Sequence, residues 1–481
     1  MVDAPAGGGT VSRAELGSWR ARLLYGFGSI AFGVKDFGFG TLLLFYYNRV
    51  LGLDPWSVSV AIAAMLCFDA VLDPIIGQFS DNLTTRWGRR HPLMYASAVP
   101  VAVTFYLLWV PPPGWSDGGK LVYLFVMATI VRFFISLFET PSSAMVAEMT
   151  DDYDLRTTFI SVRYVFGVAA NVLMNAATFA FLLFADKAHP DARLNPAGYG
   201  RYALVSAVIM VASILISAAG THRYIPLLRT PPVRRPPLRQ IVREGLATLA
   251  HNQFLIVFGA SVFAATAIGL AAALSLYFST YFWGLSNSQV ALLGLAGLPA
   301  IIVPPFLVWP LSHHLGKKNA ALVFYFLCIT LGVAPMTLRL LGLFPANGTP
   351  LLVALLVGER ALSFTLGIGC LILFGSMVAD VVEDNAVRTG RRSEGLLFSA
   401  LAFINKLVSA MGLILAGGVL RLAQQTATGH SPISPRTMAE LYLPTLVVLY
   451  GIGIVVLSRY RIDRSQHEEN VRLLSETQIG L

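Results

Sequence analysis

The chain has 481 residues, 56% of them hydrophobic and 13% charged, with a mean hydropathy of +0.67. Soluble domains carry about 25% charged residues, so these values exclude a soluble globular protein and predict one embedded in a membrane. The net charge of +9 matches a protein facing anionic lipid, and nucleic acid is not needed to explain it.

A helix needs about 20 mostly apolar residues to cross the hydrocarbon core. After a polar tail at 1–22, such stretches recur at 23–47, 57–79, 93–111, 120–141, 158–185 and 201–221. A Pro- and Arg-rich break within 222–252 reads as a linker. Six more stretches follow at 253–283, 289–311, 320–342, 351–379, 396–420 and 438–458, before a tail at 459–481. The pattern predicts an all-α membrane protein with twelve transmembrane helices in two six-helix bundles, 23–221 and 253–458. The first stretch is too long for a cleaved signal and serves as the insertion signal. Of the 35 Lys and Arg residues, 22 fall on the side that holds both termini and eight on the other. Positive charge marks cytoplasmic loops, which predicts cytoplasmic termini in a plasma (inner) membrane.

Charges inside apolar spans are costly, about 3 kcal/mol each, and usually face a functional cavity. The first half holds Lys35 and Asp36 on helix 1, Asp69 and Asp73 on helix 2, Arg132 and Glu139 on helix 4 and Arg163 on helix 5. Asp69 and Asp73 are four apart and share a helix face. Two such carboxylates in a low dielectric favour a cation between them, and hard oxygen ligands suit Na+ or a proton. Pro74 can expose backbone carbonyls beside them. Ser136 and Glu139 share a face and can add a hydroxyl and a carboxylate. The structural alternative is a salt bridge from Lys35 or from Lys406 on helix 11. Lys406 itself needs a carboxylate partner, for which the first-half acids are the candidates. Glu359 and Arg360 on helix 10 are adjacent, point apart and read as structural.

The turn after helix 2 carries Gly77, Asp81, Arg86, Gly88, Arg89 and Arg90. It resembles the signature loop of the major facilitator superfamily, in which charge pairs hold the inner gate; the alternative is that its arginines only enforce topology. Gly316, Lys317 and Lys318 echo it in the second half. Two related halves around a central site are the architecture of alternating-access carriers. Cys67, Cys328 and Cys370 all sit in apolar spans, and the histidines fall in or near loops. No nucleophile or metal cluster at depth points to an enzyme, and a closed acidic site argues against a channel.

The segments GVKDFGFG, FDAVLDPIIG, RWGRRHP, ETPSSAMVAEMTDDYDLRT and VADVVEDNAVRTGRRSEGLLFSALAFINK resemble, in order and over nearly the whole chain, the glycoside-pentoside-hexuronide:cation symporter family, also described as sodium:galactoside symporters. The resemblance implies secondary active transport of a sugar, glycoside or uronide with Na+ or H+, without a cofactor, by a monomer whose partners are its small-molecule substrate and membrane lipid. It implies cation binding by Asp69, Asp73, Ser136 and Glu139, with Ser136 in place of a threonine and Glu139 in place of an aspartate. Substrate binding would fall to Lys35, Asp36, Glu139, Arg163 and Lys406. Asp81, Arg89, Arg90, Asp380, Glu383, Arg391, Arg392 and Glu394 would form the gate. Two sugar-flanking tryptophans of the family align with Ser143 and Leu371, so Tyr277, Phe278, Tyr281, Trp283 or Phe374 would have to supply another wall. That loss also suits an amphiphile such as a lysophospholipid, carried by animal relatives of the fold.

Overall fold

The computed structural model describes residues 13–150, 152–228, 252–389, 394–427 and 432–462, with positions 466, 469 and 472. Regular structure among them is entirely helical. Eleven of the described helical stretches are long and apolar enough to cross a membrane. One of them, Asn287–Leu340, has 54 residues and at 1.5 Å per residue would span about 80 Å, far more than one hydrocarbon core. Gly316, at φ 77° and ψ 157°, breaks it. It is therefore two crossings, and the expected twelve are present.

In chain order the crossings are α1 (Trp19–Val50), α2 (Pro55–Asn82), α3 (His91–Leu108), α4 (Asp117–Met149), α5 (Tyr153–Ala177) and α6 (Pro196–His222). The second half has α7 (Asn252–Tyr277), α8 (287–315), α9 (317–340), α10 (Pro350–Thr389), α11 (Glu394–Gln425) and α12 (Pro435–Leu457). Polar caps set many of the starts. Asp54, Ser116, Asp152, Asn195, Ser286 and Ser434 each accept a backbone N–H from the first turn, and proline follows directly at 55, 196 and 435. Some ends lie beyond the apolar windows. α4 continues to Met149 and α10 to Thr389 because their extra turns carry acids that pair with loop cations, a tie that hydropathy does not register.

Those ties are repeated in the two halves. Gly88 and Gly316 have φ of +74° and +77°, a left-handed conformation that suits glycine alone among common residues. Just past Gly88, Arg89 Nη2 and Arg90 Nε donate to Glu148 Oε1 at the end of α4, at 3.0 and 2.8 Å. Just past Gly316, Lys317 Nζ donates to Asp380 Oδ1 near the end of α10 at 2.5 Å. The sequence echo is a structural repeat.

The halves meet along α2 with α11 and α5 with α8. Small residues let these backbones approach. A Cβ on Gly417 of α11 would lie 2.5 Å from Ser59 Oγ, and one on Gly294 of α8 would lie 2.5 Å from Asn175 Oδ1. At the face opposite the arginine-rich turns, hydrogen bonds join the halves. Arg49 Nε donates to Tyr281 Oη at 2.8 Å, Tyr277 Oη to Asn48 Oδ1 at 3.0 Å and Arg193 Nη1 to the Leu285 carbonyl at 3.0 Å. Arg49 and Tyr281 each stand three residues before a turn glycine, Gly52 and Gly284. The bond between them thus links equivalent positions of the two repeats. Large apolar side chains such as Phe181, Phe306 and Trp309 stay exposed, as a lipid-facing surface requires.

Candidate functional site

The i, i+4 spacing on α2 sets Asp69 and Asp73 one turn apart, and α4 packs beside them with Arg132, Ser136 and Glu139. Asp69 is 1% exposed, and its carboxylate accepts a hydrogen bond from Arg132 Nη2. Ser136 Oγ donates to Asp73 Oδ1 at 2.8 Å and lies 3.4 Å from Asp69 Oδ1. Three of the four expected cation ligands are therefore joined directly. Pro74 lies inside α2 and supplies no amide to the Ala70 carbonyl one turn back.

Arg132 is legible in the sequence as an intramembrane charge but not as a member of the cluster. Its signal is its position four residues before Ser136, on the same face of α4. Burying a carboxylate like Asp69 beside a guanidinium is tolerated because the pair neutralises and hydrogen-bonds within one contact. Glu139 is half-buried, and its charge acts on both Arg132 and Arg163.

The expected substrate residues divide into smaller groups. Lys35 is buried with Nζ 2.7 Å from Asp36 Oδ1 and 4.2 Å from the Phe32 ring centre, while the Asp36 side chain is 39% exposed. Arg163 Nη1 donates to Tyr25 Oη at 3.2 Å, and Tyr25 in turn donates to the Ser142 carbonyl at 2.9 Å. Lys406 and Glu394 belong to α11, but their side chains lie outside the described residues, as do Arg391 and Arg392 altogether.

At the arginine-rich face, Arg90 also pairs with Asp81 Oδ1 at 2.6 Å and donates to Ser80 Oγ at 2.8 Å. Glu148, 4% exposed, accepts from Arg89 and Arg90 together. Sequence analysis assigns those arginines to the gate but not their shared acceptor. In the second half Asp380 holds Lys317, Glu383 is half-buried one turn on, and Gln466 donates to Asp384 at 3.3 Å.

Glu359 and Arg360 both line a cavity of about 360 Å³ among α7, α8, α9, α10 and α12, which reaches Thr41 of α1 and Asn175 of α5. Adjacent residues on a helix can share a cavity when it is wide enough to subtend both directions. Glu359 Oε1 accepts from Ser363 Oγ at 2.7 Å. Of the aromatic residues expected as an alternative wall, Phe278 and Trp283 line this cavity. Tyr277 and Tyr281 instead belong to the closed seam, and Phe374 packs on Tyr325.

Comparison with known proteins agrees with this architecture. A family model described as MFS/sugar transport protein matches residues 24–464. The isoprimeverose transporter of Lactiplantibacillus pentosus is 24% identical, over 93% of this chain and 89% of its own. The glucuronide carrier protein homolog of Escherichia coli (strain K12) is 25% identical, over 88% and 89%. Among solved structures, a variant of the nucleoside transporter NupG superposes with a TM-score of 0.65 at 13% identity, covering 91% of this chain and all of that one. A D-xylose-proton symporter does so with 0.60 at 13% identity, covering 92% and 98%. The chain thus belongs to the MFS/sugar transport protein family, the glycoside-pentoside-hexuronide:cation symporters, and is a membrane transporter, not an enzyme.

Proposed function

We infer that this protein accumulates a sugar, glycoside or uronide by cation-coupled symport. The observation that carries the inference is the buried Asp69–Arg132 and Asp73–Ser136 cluster beside the Lys35–Asp36 pair, Glu139 and Arg163. A coupling ion, Na+ or H+, received by these carboxylates removes negative charge that is costly at depth. It thereby favours the state in which Asp36, Glu139 and Arg163 hold substrate hydroxyls. The loaded halves then rock about the α2–α11 and α5–α8 seams. The relatives' cargoes, isoprimeverose and glucuronide, support a hydroxylated substrate.

The cross-half bonds of Arg49, Tyr277 and Arg193 support a carrier held closed at the face opposite the arginine-rich turns. In this reading the arginine-rich turns, the linker at 222–252 and both termini are cytoplasmic, the two bundles span 23–221 and 253–458 in an inner membrane, and the unit is a monomer. Asp81, Arg89, Arg90, Asp380 and Glu383 are the inner gate.

The test is uptake into proteoliposomes of a panel of pentosides, glucuronides and galactosides under imposed Na+ or pH gradients. One member should accumulate against its gradient only when an ion gradient is present. Equilibration without accumulation under every gradient would reduce the protein to a uniporter. The mostly apolar wall of the second-half cavity, with Phe278 and Trp283, favours an amphiphile as a second reading. Competition of sugar uptake by lysophospholipid, with lysophospholipid itself transported, would move the assignment to it.

A further inference from the structure

Arg132 has a consequence for which ion couples. It stands inside the cluster read above as the coupling-ion site, and the inference rests on that reading. A hard metal cation in a protein needs several oxygens converging on one point at roughly 2.0–2.6 Å. The oxygens available here are those of Asp69, Asp73, Ser136 and Glu139, with the Ala70 carbonyl that Pro74 leaves without its amide. One Asp69 oxygen is already taken by Arg132 Nη2, and Ser136 Oγ directs its hydrogen at Asp73. The guanidinium does not lose its proton in a protein, so its positive charge is a permanent occupant. A sodium ion on the remaining oxygens would lie within a few ångströms of that charge, in surroundings that screen the repulsion poorly. A proton needs no ligand shell, only one carboxylate oxygen.

We propose that Arg132 is a tethered cation that stands on Asp69 where a metal ion would otherwise sit, excludes Na+ from the site and makes H+ the coupling ion. Other charged groups facing the cluster are Lys35 and Asp36 from α1, Glu139 from α4 and Arg163 from α5; Lys406 on α11 has a side chain outside the described residues. The charges of Asp36 and Glu139 both act on Arg132. A purely structural bridge between α2 and α4 would leave ion selectivity unchanged when removed, which separates the two roles.

The experiment uses the full-length purified protein and two probes that need no substrate: equilibrium binding of radiolabelled Na+, and thermal unfolding in NaCl against choline chloride. Wild type should bind no Na+ saturably and unfold at the same temperature in both salts. Arg132→Ala opens the site: its Na+ affinity should rise at least about tenfold, and NaCl should raise its unfolding temperature. Arg132→Lys keeps the tethered charge and should behave as wild type. If Arg132→Ala is too unstable to purify in choline chloride but is recovered in NaCl, that rescue supports the proposal equally. Saturable Na+ binding by wild type that disappears in Asp73→Asn would overturn it. So would an Arg132→Ala protein that neither binds Na+ nor is stabilised by it. Failure of the symport reading looks different: no compound of the uptake panel would accumulate under either gradient, whatever the Na+ binding.

Discussion

The two halves share a scaffold and differ in chemistry. Both turn at a left-handed glycine, Gly88 or Gly316, and both clamp a cation beside it to a buried acid in the C-terminal part of the fourth helix of the half, Glu148 or Asp380. Among the described residues interior charge is concentrated in the first half: the seven ionisable side chains Lys35, Asp36, Asp69, Asp73, Arg132, Glu139 and Arg163 lie on α1, α2, α4 and α5. The second half offers Glu359 and Arg360 in a cavity walled by Phe278, Trp283 and Tyr442. Since intramembrane charge costs about 3 kcal/mol per residue on insertion scales, the proposed reading assigns motion to the shared parts and ion and substrate to the unshared ones.

The largest contrast should come from neutralising an acid in each interior. Asp69→Asn strands the Arg132 guanidinium, and breaking a buried pair costs about 3–5 kcal/mol, so a large fall in unfolding temperature is expected. Glu359→Gln keeps its hydrogen bond to Ser363 and should change stability little while altering substrate affinity. Equal losses in the two variants would erase the distinction between the halves.

Next in size is Ser136→Ala. Removing a hydrogen bond to a charged group is worth about 1.5–3 kcal/mol, which predicts at least tenfold weaker ion dependence of uptake with the protein still inserted. At the gate, Glu148→Gln should impair transport more than Asp81→Asn. Glu148 is buried and serves two arginines, whereas Asp81 is half exposed and Arg90 keeps its other partners. Cysteine accessibility at the arginine-rich face would report both. The smallest effect is expected at the seam, where Tyr281→Phe removes one acceptor for Arg49. A loss of about 1 kcal/mol shifts the two-state balance toward outward opening about fivefold, read as increased labelling from outside.

Hydropathy made the twelve crossings legible, and helical spacing made the Asp69–Asp73 pair legible, because both depend only on local sequence. Partners across helices were not. Nothing in the spacing of α4 says that Arg132 reaches Asp69, since that follows from how α4 packs on α2. Glu148 lay hidden for the same reason, and because it stands past the apolar window of its helix. Tyr277 and Tyr281 read as possible binding aromatics, since tyrosines near a membrane helix end serve lipid interfaces, ligands and helix contacts alike. Their hydrogen bonds to Asn48 and Arg49 exist only once the two repeats are brought together. That Glu359 and Arg360 share a cavity was not legible either, because adjacency turns side chains apart and the width of the cavity depends on how α10 packs on its neighbours.

The most direct test of the account separates binding and movement from coupling. In proteoliposomes loaded with the substrate that the panel identifies, Asp73→Asn should still exchange labelled for unlabelled substrate, yet fail to accumulate it under the ion gradient that drives wild type. Accumulation by Asp73→Asn at the wild-type level would contradict the placement of coupling in the first-half carboxylate cluster.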